Sequence, residues 1–137
     1  MKREQFLRLF LRVIGAVAGL AAFCAVMPYA WMNATHQYLG MGILPDRPIV
    51  GYLARSTSAF YALFGGLFWV LSCDLLRYRL LLRYLGIATM ALGVLLFGID
   101  RVEGLPLFWR AAEGPLDVAC GAVILWLNWG AGDDDRP

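Results

Sequence analysis

The side chains able to do chemistry in this chain fall into two polar stretches, 33–55 and 100–117. Together they hold His36, Asp46, Arg47, Arg55, Asp100, Arg101, Glu103, Arg110, Glu113 and Asp117. Asp117 is the sharpest of the set. The apolar run around and after it, 116–129, reaches only about 21 Å as a helix, against a hydrocarbon core of roughly 30 Å. That places Asp117 near or below a membrane interface, where a carboxylate is costly and faces a partner or a cavity. Arg55 and Arg110 are the candidate cations beside it. Two readings follow. In one, these are solvated loop charges, with Asp117 favourably placed at a helix N-terminus. In the other, Arg55, Arg110, Glu113, Asp117 and His36 form an outward-facing polar pocket in which Arg55 binds an anionic group.

Other chemistries find less support. Met27, Met32, His36 and Met41 offer thioether and imidazole ligands of the kind Cu(I) takes, but their spacings do not share one helix face. A methionine-rich interface is the expected reading, with no metal and no cofactor. Cys24, Cys73 and Cys120 stand far apart and form no CxxC pair, so neither a disulfide framework nor a thiol redox centre is expected. No Gly-rich phosphate loop, HExxH or GxSxG occurs. The first apolar run has no Glu of the sort that small four-helix multidrug exporters carry. A net charge of +2 gives no basic stripe for nucleic acid.

The elements that must position these residues are membrane helices. Of 137 residues, 61% are hydrophobic and 16% charged, and the mean hydropathy is +0.64. So small a soluble domain cannot bury that much apolar surface, whereas lipid covers it. The fold class expected is all-α, an integral membrane four-helix bundle. One transmembrane domain, 1–132, has spans at about 6–31, 54–72, 80–99 and 115–129, and 133–137 form an acidic polar tail. The basic start and apolar run resemble a secretory signal, but no A-x-A site follows, and an uncleaved first helix is expected. The stretch 33–55, with Gly40, Gly42, Pro45 and Pro48, reads as a loop. Pro115 suits the first turn of the last helix.

Counting basic residues orients the chain. With both termini inside, Lys2, Arg3, Arg8, Arg12, Arg77, Arg79, Arg83 and Arg136 are cytoplasmic, while Arg47, Arg55, Arg101 and Arg110 lie outside. Eight against four satisfies the positive-inside rule. The Ala, Leu, Gly and Arg bias points to a bacterial inner membrane.

Helices in lipid associate where small residues admit close approach. The expected seams are Gly15 and Gly19 on the first span, Ser58, Ala62 and Gly66 on the second, Thr89 and Gly93 on the third, and Asp117 and Gly121 on the fourth.

The stretch Gly65-Gly66-Leu67-Phe68-Trp69-Val70-Leu71-Ser72, the basic turn from Arg77 to Arg83 and the apolar helix after it resemble DoxX-like membrane proteins. Those are small bacterial four-helix proteins, several associated with quinone or redox systems. Where that family often has an acidic residue before the Gly pair, this chain has Ser58-Ala59-Phe60-Tyr61, so the resemblance implies architecture and no active site. The function expected is that of an accessory or assembly subunit of a larger membrane complex, with the lipid bilayer and other subunits or further copies of the chain as partners. The alternatives are a redox-linked, quinone-associated or lipid-modifying enzyme using the outer pocket, and a small-solute transporter.

Overall fold

The structure, a computed structural model, describes residues 2–129; the expected acidic tail 133–137 lies outside the described residues. All regular structure among them is helical: α1 (Lys2–Gly19), α2 (Ala21–Val26), α3 (Tyr29–Tyr38), α4 (Pro48–Cys73), α5 (Arg79–Val102) and α6 (Leu107–Trp129). Only Leu20, itself in a helical conformation, separates α1 from α2, so the two form one 25-residue rod, Lys2–Val26. This rod, α4 and α5 are long and apolar enough to cross a membrane. The helix α6 has the length but is not among them, because Arg110, Glu113 and Asp117 interrupt its apolar surface.

Three boundaries differ from the sequence expectation, each for a proline-related reason. The first span was expected to run on to Trp31, but it stops at Val26. Pro28 bars the helical conformation at the residue before it, and Met27 is extended (ψ 135°). Pro28 then opens α3, its carbonyl accepting from Trp31 and Met32 amides at 3.0 and 3.2 Å. The stretch read as loop, 33–55, is therefore helical at both ends, in α3 up to Tyr38 and in α4 from Pro48, and the irregular part shrinks to 39–47. Pro48 is the first residue of α4, where a missing N–H costs nothing. The last helix begins at Leu107, capped by the Pro106 carbonyl, and Pro115 lies inside it. Pro115 leaves the Ala111 carbonyl without its helical donor.

The helices group into two compact units, Met1–Phe10 with Leu71–Pro137, and Leu11–Val70. In the first, α5 and α6 pack as an antiparallel hairpin. Its turn is compact: Gly104 adopts φ +69°, and the Leu105 amide reaches back to the Asp100 carbonyl at 3.0 Å. Along the hairpin Arg79 faces Asn128, Gly86 faces Gly121 and Gly93 faces Gly114. Successive pairs are seven residues apart on both helices, two turns, so one face of each returns to the seam. A Cβ on Gly93 would sit 2.6 Å from the Gly114 carbonyl oxygen, and one on Gly121 2.5 Å from that of Gly86. Backbones thus touch directly. The buried leucines Leu7, Leu71, Leu75, Leu82 and Leu127, with Ile124, form the apolar core of this unit.

In the second unit the close approach joins α1 to α4. A Cβ on Gly65 would lie 2.6 Å from both the Gly15 carbonyl oxygen and the Gly19 amide nitrogen. The sequence reading put Gly66 on this seam, but Gly66 faces open space. Two steps of four residues rotate a stripe by about 80° around a helix, whereas four and then three bring it back, so Ser58 and Ala62 continue to Gly65.

Replacing Gly65 by Ala should therefore cost about 1–3 kcal/mol, since backbone cannot yield as a side-chain end can. The neighbouring Gly66→Ala should fall within about 0.5 kcal/mol of the wild type. Unfolding of both variants in detergent by denaturant titration checks the contrast.

Candidate functional site

The polar residues singled out above divide between the two units. Arg55 and His36 belong to Leu11–Val70, whereas Arg110, Glu113 and Asp117 belong to the unit that contains α5 and α6.

In Leu11–Val70, a cavity of about 680 Å³ opens where α2 ends and α4 begins. Its polar lining is Tyr29, Asp46, Arg47, Tyr52, Arg55 and Ser56, and its apolar lining includes Ala25, Gly51 and Ala59. The break at Pro28 builds it. The rod's last turn leaves carbonyls with no helical donor, and the Arg55 Nη2 donates to one of them, that of Met27, at 3.1 Å. Arg55 is thus fixed in direction by the end of a neighbouring helix while its remaining N–H groups stay available.

The segment facing this opening is stapled by side chains. The Tyr29 hydroxyl donates to the Leu44 carbonyl, and the Leu44 amide donates to Asn33 Oδ1 at 2.9 Å. His36 Nδ1 lies 2.9 Å from the Gly42 carbonyl oxygen, which only accepts, so that nitrogen carries the proton. His36 is therefore a loop staple and is not part of the cavity lining. Partial burial first, and the Asp46 carboxylate second, push the Tyr29 phenol above its ordinary value of 10.0. It stays a donor through the neutral range.

In the other unit, α6 carries a ladder at four-residue spacing: Trp109, Glu113 and Asp117. Trp109 Nε1 donates to the Glu113 carboxylate. Asp117 lies on the hairpin seam, its Cβ within 2.9 Å of where a Cβ on Gly93 would be. Gly93 is nine residues, about 14 Å, before the end of α5 at Val102. Asp117 is half-buried at that level and takes no hydrogen bond among the described residues. Arg110 is half-buried too, and its Nε is enclosed without a hydrogen-bond partner.

Two polar residues are more buried than the sequence reading implied: Asp100 was grouped with the loop charges, and Asn128 was not singled out. Asp100 is only 2% exposed, with Oδ2 buried and unpartnered. Asn128, equally buried, donates from Nδ2 to the Arg79 carbonyl at 3.0 Å. The signal for both was present: Arg79, Gly86, Gly93 and Asp100 recur every seven residues, as do Leu107, Gly114, Gly121 and Asn128. No group of three or more His, Cys, Asp or Glu among the described residues is arranged to hold a metal ion.

No protein-family model, curated protein or solved structure matches this chain.

The Tyr29 phenol gives a pH prediction for the stapled segment. Its value is raised in the folded chain, so its contribution to stability is fully present below pH 10.0 and is lost as pH rises through the higher folded value. Ultraviolet titration should show a tyrosine component ionising above pH 10.0, and Tyr29→Phe should remove it.

Proposed function

We propose that this chain is a multi-pass protein of a bacterial inner membrane, with both termini cytoplasmic and α6 as a fourth span. On this reading it is an accessory or assembly subunit of a larger membrane complex, either with other subunits or with further copies of itself.

The observation that carries the reading is Asp117. A carboxylate at the level of Gly93, inside a candidate span, is stable only beside a hydrogen-bond donor or a cation. Across the seam α5 presents Gly93, whose lack of a side chain lets Asp117 approach and offers it no side-chain donor. A donor from a second chain answers that need. The exposed surface agrees: the most apolar windows of the three candidate spans are only 11%, 17% and 22% buried within the chain. Lipid suits their apolar faces, while Asp117 on α6 needs a polar neighbour.

The other readings draw less from the geometry. An enzyme at the outer pocket with Arg55, Glu113 and Asp117 has no catalytic sequence motif to support it. A transporter of the broken-helix kind uses a break at the membrane midplane. Here the break follows Val26, at the end of a 25-residue span.

Extraction in mild detergent followed by mass spectrometry of everything that co-purifies tests the proposal. A stoichiometric membrane protein, or a defined oligomer of this chain, is expected. Asp117→Leu should reduce recovery of that partner roughly tenfold, equivalent to about 1.4 kcal/mol, and Asp117→Asn should reduce it less. A wild-type chain that purifies alone and monomeric overturns the reading.

A further inference from the structure

We propose that the cavity between the end of α2 and the start of α4 binds a phosphate-type oxyanion, supplied as the headgroup of an anionic membrane lipid.

Three donors make the case. Arg47 and Arg55 contribute two guanidiniums to the lining against one carboxylate, Asp46. Guanidinium is the side-chain group whose planar fork matches phosphate oxygens two at a time. Tyr52 adds a hydroxyl with its proton uncommitted. The other two lining hydroxyls are committed, Tyr29 donating to Leu44 and Ser56 donating to Leu53 at 3.2 Å.

The site is also preorganised. The Met27 carbonyl holds Arg55 by one nitrogen only, so binding need not pay the full entropy of ordering that side chain. Pro48 and Gly51, in the first turn of the 26-residue α4, line the same cavity, and the positive end of that helix adds to the field of the arginines. A volume of about 680 Å³ exceeds one phosphate and suits a headgroup with its glycerol.

Position selects the lipid as the source. Val26 and Pro48 are the ends of two candidate spans, so the cavity lies at the level where apolar helix gives way to polar chain. Ala25 and Ala59 line its apolar part. A lipid phosphate in the cavity would leave its acyl chains at the depth of the spans, whereas free phosphate would use the arginines alone.

The test uses the full chain in nanodiscs of phosphatidylcholine with a minor fraction of phosphatidylglycerol, read by native mass spectrometry. Wild-type protein should retain phosphatidylglycerol in preference to phosphatidylcholine. Arg47→Gln removes a guanidinium whose side chain makes no hydrogen bond within the described residues, and should weaken retention roughly tenfold. Arg55→Lys keeps a charge and a donor for Met27 but loses the fork, and should weaken it further in combination. Displacement of the lipid by inorganic phosphate would support the oxyanion site and assign it to the free anion. Equal retention by wild type and both variants would overturn the proposal, because the lipid would then be held elsewhere, for example by Arg77 and Arg83. Absence of any preference, with no phosphate binding, would overturn it as well.

Discussion

The α5–α6 hairpin depends on the places where its two backbones touch. Gly86 against Gly121 and Gly93 against Gly114 supply those contacts; a side chain at Gly93, Gly114 or Gly121 would strike a carbonyl oxygen, and one at Gly86 the Leu125 side chain. The seven-residue step between the pairs then dictates the rest of the seam. It brings Asn128 to the Arg79 carbonyl at one end, and Asp100, one step on from Gly93, is buried at the other. It also fixes how deep Asp117 lies, since Asp117 packs on Gly93. The polar chemistry of the hairpin is thus a consequence of where glycine permits contact.

The second unit answers a different demand, that every backbone group in apolar surroundings find a partner. Pro28 ends the first rod and strands carbonyls at its tip. Arg55 meets one of them, that of Met27, while Tyr29, Asn33 and His36 satisfy backbone groups of Leu44 and Gly42 in the irregular segment that follows. A cavity lined by arginines results from that repair. At the opposite ends of the spans, Arg12 lies over the Trp69 ring at 5.7 Å, an arrangement suited to an interface where charge and aromatic area coexist.

Apolar run length and basic residues made the membrane character legible, because both follow directly from composition. The small-residue seams were legible as well in their general position: Gly15, Gly93 and Gly121 all make close backbone approaches. What escaped was angular and conditional. Gly65 and Gly66 differ by about 100° around the helix, and a four-residue stripe pointed to the wrong one. The helix α3 was hidden because Gly and Pro density was read as loop, although Pro28 and Gly40 are its start and stop signals. The mistaken start at Pro115 has the same origin, since Pro106 carries the capping role nine residues earlier. Asp100 looked like one more loop charge, and only the seven-residue repeat separates it from Arg101 and Glu103. The cavity at Arg55 could not be seen at all in one dimension, because Met27 and Arg55 meet across 28 residues.

Among the described residues, the buried side-chain polar atoms that lack a hydrogen bond, Arg79 Nε, Asp100 Oδ2 and Arg110 Nε, all belong to the α5–α6 hairpin or its ends. Leaving such a group unsatisfied costs about 1–3 kcal/mol, and more when it is charged. Three of them, together with Asp117, are a heavy burden for two helices whose attraction rests on two pairs of glycines. A hairpin that retains them is not at its own optimum in isolation. Groups brought by another chain, as proposed above, or by ordered water would relieve those atoms. The distribution of unsatisfied groups, more than any motif, is what motivates the proposed partner.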